Sequence, residues 1–165
     1  MPNVHPLLVH FPLTLLVGAV VADLLHVAWP SRSQVREAAT WLYCMGALAA
    51  MAAYFSGLEA AGSLSLPAGS RTAVGEHFFW AERTTWFYAF LASFRMCVSY
   101  IWRSTRRSVA VCSSLAGLTG AVLLLIAAER GGQLVFGHGV GVRPVAASEP
   151  GWTMEQIDDR PRPAP

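Results

Sequence analysis

The sequence predicts an all-α integral membrane protein, a four-helix bundle with both termini outside. Three observations predict it. Of the 165 residues, 54% are hydrophobic and only 13% are charged. Four apolar runs each approach the ~20 residues that a helix needs to cross the hydrocarbon core. Arginines are concentrated in two of the three segments that connect these runs. The chain length leaves room for one transmembrane domain, which we place at residues 1–142.

The apolar runs define the predicted helices, at about residues 6–29, 38–61, 78–102 and 109–128. No arginine or lysine precedes the first helix, so we expect it to be retained and not cleaved as a signal peptide. Pro12 has no amide hydrogen and should bend this helix beside His10. Gly131 and Gly132 are expected to end the fourth helix in a left-handed turn.

The distribution of arginine predicts the orientation. Loop 30–37 contains two arginines and loop 103–108 contains three, whereas the remaining loop contains only Arg71. By the positive-inside rule, both arginine-rich loops are cytoplasmic and both termini are outside. All positive side-chain charge comes from arginine, with no lysine, which suggests a GC-rich bacterial genome. We therefore expect a multi-pass protein of the bacterial inner membrane.

Four of the five histidines, His5, His10, His77 and His138, should then lie at the outer ends of the helices. Imidazoles near a bilayer are costly unless they pair or bind a ligand, so this grouping predicts a polar site. The fifth, His26, lies near the cytoplasmic face, three residues after Asp23. We expect these last two side chains to hydrogen-bond to each other.

The helical pattern predicts which of these groups face inward. His10 and Glu59 each lie on a helical face of small residues, where membrane helices approach closely, so both should point into the bundle. His5 is about 140° around the helix from His10, so the two cannot share one ligand on an ideal helix. We place His5 at the rim of the site.

Two arginines of the third helix receive different interpretations. Arg83 is either an anion-binding group of the site or the partner of Glu82 in an ion pair, and both readings remain open. Arg95, nearer the cytoplasmic end, is expected to extend its charge to the interface. After the fourth helix, residues 131–142 should fold back over the outer mouth and hold His138 near the site. Residues 143–165 are rich in proline and predict a flexible outer tail.

Several motifs resemble a known family. They are HPLLVHFPLTLLVGAVVADLL from His5 to Leu25, SGLEA from Ser56 to Ala60, His77, and GGQLVFGHGVGV from Gly131 to Val142. These resemble the bacterial predicted-membrane-protein family catalogued as domain of unknown function 2231. The resemblance implies a four-helix integral membrane domain, sometimes found beside c-type cytochrome modules. In that family the second-helix acid is more often aspartate, whereas it is Glu59 here.

The favoured function is binding of non-covalent haem b in membrane electron transfer. Inward histidines in a four-helix bundle suit a haem with two axial histidine ligands. The axial pair would be His10 with His77 or His138, and Arg83 would meet a propionate. The sequence has no Cys-x-x-Cys-His motif, which excludes covalent attachment of a c-type haem. A redox partner, such as a c-type cytochrome or another membrane complex subunit, would be needed.

Two alternatives stay open. One is a zinc, copper or iron ion bound by His10, Glu59, His77 and His138. The other is a structural or assembly subunit of a membrane complex, in which the histidines only satisfy one another. The chain contains no nucleic-acid-binding motif, and no serine or cysteine stands beside a base at a consistent depth. We therefore lean against an enzyme and expect the lipid bilayer to be its main partner.

Overall fold

The computed structural model describes residues 4–63, 66–67, 69–104 and 106–142. Within these residues all regular secondary structure is helical, which confirms the predicted all-α class. The predicted flexible tail, residues 143–165, lies outside the described residues.

The described residues form five α-helices and one π-helical turn. They are α1 His5–Leu8, α2 His10–Ala28, α3 Ser33–Ser63, α4 Arg71–Met96, the π-turn Cys97–Ile101 that continues α4, and α5 Arg107–Phe136. Helix α2 packs between α3 and α5, and α4 packs between the same two on the opposite side. The four long helices therefore form an up-down bundle in which α2 and α4 are diagonal. We call the end with His5 the histidine end, and the end with loops 30–32 and 102–106 the arginine end.

The first predicted helix is broken at Val9, which separates α1 from α2. Pro12 lies three residues further on. It lacks the amide hydrogen that would bond to the Leu8 carbonyl, and its ring crowds that oxygen. The helical hydrogen-bond pattern is thus interrupted beside His10, where the sequence predicts a bend.

The other helices are longer than predicted. Helix α4 begins at Arg71, so His77 lies in its second turn. Helix α5 continues through Gly131 and Gly132 to Phe136, contrary to the prediction that these glycines end it. Gly131 faces the ring of His77 within the helix, where a side chain would crowd that ring. In the predicted fold-back segment 131–142, the first half is thus helix and the residues after Phe136 form turns.

The bundle has a narrow core and an apolar outer surface. Its central cluster includes Leu16, Tyr43, Tyr88 and Leu124, all buried. Small residues line the helix interfaces, while many large apolar side chains point outward; Phe90, for example, is 72% exposed. Membrane helices pack through small residues and present large apolar side chains to lipid. This distribution fits a protein embedded in a bilayer.

In the part of the chain that the structure describes, three helical segments are long and apolar enough to cross a membrane. They are His5–Ala28, Ser33–Ser63 and Arg107–Phe136. Helix α4 has 26 residues, a sufficient length, but its charged residues lower its hydropathy. Because α4 packs between α3 and α5 in the same bundle, it can share their depth, and its buried Arg95 is paired with Asp23 of α2.

Candidate functional site

Two histidines meet at the histidine end of the bundle. His5 of α1 and His77 of α4 are half-buried and close enough to interact electrostatically. Each ring lies against a glycine of a neighbouring helix. A Cβ built at Gly57 of α3 would lie 3.0 Å from His5 Cε1, and one at Gly131 of α5 would lie 3.1 Å from His77 Cε1. Because neither glycine has a side chain, each ring lies directly against the neighbouring helix, and this contact fixes its position. We call these two contacts the seats of His5 and His77.

The hydrogen bond of His77 identifies its tautomer. Its Nδ1 lies 3.0 Å from the carbonyl oxygen of Ala127 in α5. A carbonyl oxygen only accepts hydrogen bonds, so Nδ1 carries the hydrogen and donates it. In the neutral ring the lone pair is then on Nε2.

His5 is anchored through the same ring nitrogen by a serine of α3. Its Nδ1 lies 3.0 Å from Ser56 Oγ, and that oxygen lies 2.9 Å from the Ala53 carbonyl oxygen. The one hydroxyl hydrogen of Ser56 has two neighbouring acceptors, so this contact positions the ring without assigning its tautomer. Anchoring one ring nitrogen so that the other presents a lone pair is how proteins orient histidine ligands of metals.

The structure does not bring His10 and Glu59 to this pair. His10 is exposed, and its Nδ1 donates to the Pro6 carbonyl at 2.8 Å. The prediction that it points inward is wrong, because the core face of α2 runs through Pro12, Leu16 and their successors. Glu59 is also exposed, so its predicted inward orientation is wrong as well. The buried face of α3 runs through Ala53 and Ala60 here, whereas Glu59 lies on the exposed face with Ala52 and Phe55.

His138 and Arg83 also stand apart from the pair. His138 is exposed in the turn after α5. Arg83 is exposed, lies over the Phe79 ring at 3.2 Å from its centroid, and donates to the Phe79 carbonyl at 3.0 Å. Of the predicted site residues, the structure thus brings together only His5 and His77. In the described residues no three His, Cys, Asp or Glu side chains form a group that could hold a metal ion.

Comparison with known proteins identifies the family. The sequence matches the family described as predicted membrane protein DUF2231 over residues 1–144. The chain belongs to this family. The matched range includes all five helices and both seated histidines, and it agrees with the resemblance of the end motifs. No curated protein and no solved structure matches the chain.

This DUF2231 protein has a second polar site, which the sequence did not predict. Asp23 of α2 and Arg95 of α4 form an ion pair at 2.6 Å, with side chains 1% and 5% exposed. The predictions that Asp23 bonds to His26 and that Arg95 extends to the interface are therefore wrong. A charge inside a bilayer needs a partner. Asp23 and Arg95 lie at similar distances from the arginine-rich loops, and this similarity in depth was the sequence feature that could have predicted the pair.

Two tyrosines pack beside the ion pair. The fully buried ring of Tyr43 extends from α3 across the bundle, and its hydroxyl occupies the space where Gly117 of α5 has no side chain. Tyr88 lies in the same way against Gly120 and stacks on Tyr43 with ring centroids 6.2 Å apart. The glycines of α5 thus admit two large polar rings into the centre of the bundle.

Proposed function

We propose that this integral membrane protein binds a transition-metal centre through Nε2 of His5 and His77, either the iron of haem b or a single zinc, copper or iron ion. One observation carries the proposal. Two histidines from different helices are held at one end of the bundle, each anchored through Nδ1. Two imidazole ligands suit both axial positions of a haem iron or part of the coordination shell of a metal ion.

The protein's own contribution would be orientation of the ligands. The Ala127 carbonyl accepts the Nδ1 hydrogen of His77, which makes that ring a better electron donor through Nε2, and Ser56 positions the His5 ring through Nδ1. A bound haem would supply one-electron transfer, whereas a bound ion would supply Lewis acidity or redox chemistry. Any further ligand of a bare ion would come from water, from His138 or from a partner protein.

The location of the site bears on its role. The arginine distribution supports a cytoplasmic arginine end, which would place the histidine pair on the outer side. A single centre on that side does not carry electrons across the bilayer. We therefore infer a redox partner, such as a c-type cytochrome or another subunit of a membrane complex, if the centre is haem.

The test is a visible spectrum of the detergent-purified full chain, oxidised and then reduced with dithionite, together with metal analysis of the same sample. A sharp reduced α-band of the b type identifies haem. A colourless protein with a stoichiometric metal identifies an ion site. Protein that is colourless and metal-free after expression with added haem and after incubation with each metal contradicts the proposal and favours a structural or assembly role.

Single substitutions identify the ligands. His5→Ala and His77→Ala should each abolish retention of the centre, because each removes one Nε2 donor. His10→Ala and His26→Ala are matched controls and should retain it, since His10 is exposed and His26 lies near the arginine end. His138→Ala shows whether that residue is a third ligand. Retention by both His5→Ala and His77→Ala would exclude this pair.

A further inference from the structure

Each of the four long helices contributes a buried polar side chain to one region of the bundle. These are Asp23 of α2, Tyr43 of α3, Arg95 of α4 and Ser113 of α5, and none is more than 4% exposed. Ser113 is one helical turn from Gly117, which the Tyr43 hydroxyl contacts. We call these four side chains the polar layer.

The polar layer contains more hydrogen-bonding capacity than the described residues satisfy. Asp23 Oδ2, the Tyr43 hydroxyl, Arg95 Nε and Ser113 Oγ are buried without a hydrogen-bond partner in that part of the chain. The Tyr43 hydroxyl interacts with the Asp23 carboxylate but does not reach hydrogen-bond geometry. Polar atoms in a bilayer are not satisfied by lipid, and internal water typically bridges about three such groups.

Polar groups continue from this layer toward the arginine end. Thr40 Oγ1 lies 3.2 Å from Ser99 Oγ and 3.4 Å from Arg95 Nη2. Arg36 then donates to the Ser104 carbonyl at 3.1 Å, at the start of the loop. Ser99 belongs to the π-turn, and such turns are frequent at functional sites because they displace the neighbouring helix backbone.

Toward the histidine end, the polar layer borders apolar side chains. Between the polar layer and the histidine end lies the apolar cluster that includes Leu16, Ala19, Ala47 and Leu124, all buried. Tyr43 and Tyr88 border this cluster, and the Tyr88 hydroxyl, against Gly120, is also buried without a hydrogen-bond partner in the described residues. A chain of polar side chains thus joins the layer to the arginine end, whereas mainly apolar side chains lie on its other side.

We propose that the polar layer is an internal water-binding site that exchanges with the solution at the arginine end and is closed toward the histidine end. Water bound there hydrogen-bonds to Asp23 Oδ2, Arg95 Nε and the hydroxyls of Tyr43 and Ser113. The protein then has two polar sites that face opposite solutions, the histidine pair and the hydrated ion pair, separated by a dry apolar cluster. This site is independent of any metal at His5 and His77.

Cysteine accessibility tests the proposal. In a background with Cys44, Cys97 and Cys112 replaced by alanine, Ser113→Cys places a thiol of similar size in the polar layer. Ala19→Cys is the matched control, because Ala19 is fully buried in the apolar cluster. Ag⁺, a small thiol-reactive cation, is applied to either side of sealed vesicles. Thiols left unreacted are then counted with a fluorescent maleimide after unfolding.

We expect the thiols of the polar layer to react from one side of the membrane only. Ser113→Cys should react with Ag⁺ about tenfold or more faster than Ala19→Cys, since a dry position reacts only through local opening of the bundle. This reaction should occur only from the side on which an impermeant maleimide labels Ser31→Cys, an exposed position at the arginine end. Thr40→Cys gives a second position beside the layer and should behave like Ser113→Cys.

Two outcomes overturn the proposal. If Ser113→Cys and Thr40→Cys both react as slowly as Ala19→Cys, the layer is dry and its polar atoms are satisfied within the protein. If they react equally from both sides, the apolar cluster does not close the route. Neither outcome affects the proposed metal centre, which is read from the spectrum and metal content.

Discussion

The Asp23 carboxylate and the Arg95 guanidinium meet at 2.6 Å between two helices that are diagonal in the bundle. Since α2 and α4 otherwise make few contacts with each other, this ion pair joins them through the centre. Both charges are buried, so neither helix can move away without leaving the other charge unpaired in an apolar environment. The pair therefore fixes the relative positions of all four helices at the arginine end.

Removing one charge of this pair should destabilise the protein strongly. We expect Arg95→Met or Asp23→Asn to lower the free energy of unfolding by about 3–5 kcal/mol, because each leaves a buried charge without its partner. The double variant should recover a large part of this loss, since it leaves no charge. Unfolding by titration with SDS in mixed micelles measures all three values.

The exposed ion pair Glu76–Arg130 is the control for that prediction. It has a similar N–O distance of 2.9 Å, but its side chains are 53% and 40% exposed. Glu76→Gln should therefore change stability by only about 0–1 kcal/mol. A double variant of Asp23 and Arg95 that loses the sum of both single effects would show that the two charges are not coupled.

A methyl group at Gly117 should be poorly tolerated. The Cβ of Gly117→Ala would overlap the hydroxyl of Tyr43, whose ring is fully buried and cannot move aside. Overpacking of this kind costs about 1–3 kcal/mol. In a Tyr43→Phe background the penalty should largely disappear, because the nearest remaining ring atom lies at 3.3 Å. The midpoint of thermal unfolding, followed by tryptophan fluorescence, gives the comparison.

Gly75→Ala in α4 is the matched control, because no atom lies within 4 Å of a Cβ built there. Alanine has the higher helix propensity, by up to about 1 kcal/mol, so this variant should be at least as stable as the native chain. If Gly117→Ala lowers the unfolding midpoint equally whether residue 43 is tyrosine or phenylalanine, the loss does not come from contact with the Tyr43 hydroxyl.

The helices of this fold follow from sequence pattern, whereas the site depends on which face each helix buries. The apolar runs of spanning length correctly predicted the number and order of the long helices. The faces of His10 and Glu59 were misjudged, because small residues line more than one face of α2 and α3 and the periodicity does not decide between them. His77 and Gly131 are far apart in the sequence, so their contact is not visible in the sequence pattern. Gly131 and Gly132 were therefore interpreted as the end of the fourth helix.

The hydrogen bond from His5 to Ser56 should control metal binding without being a ligand bond. Ser56→Ala removes the hydrogen-bond partner of His5 Nδ1, which frees the ring to rotate. Loss of such a partner typically lowers metal affinity about 10–100-fold. Ser56→Thr keeps the hydroxyl and should restore most of the affinity. Competition with a chelator of known affinity, or haem titration if the centre is haem, measures the change.

Ser63→Ala is the control for that experiment. Ser63 makes the same type of bond to a carbonyl of its own helix, to Ala60 at 3.1 Å, two turns beyond Ser56. It should leave the affinity unchanged. Equal losses from Ser56→Ala and Ser63→Ala would mean that the hydroxyl acts on helix α3 as a whole and not on His5.

The seat of His77 can be tested by two adjacent glycines that differ only in what they face. At Gly131 a Cβ would lie 3.1 Å from His77 Cε1 and 3.4 Å from Nδ1, whereas at Gly132 nothing lies within 4 Å. Gly131→Val should push the ring off the Ala127 carbonyl and break the 3.0 Å hydrogen bond that sets its tautomer. Gly132→Val makes the same change in helix propensity on the same turn of α5, so the difference between the variants isolates the contact with His77. We expect the imidazole ¹⁵N shifts of His77 to change and the bound centre to be lost in Gly131→Val only. If both variants keep the native shifts, the ring does not depend on this seat.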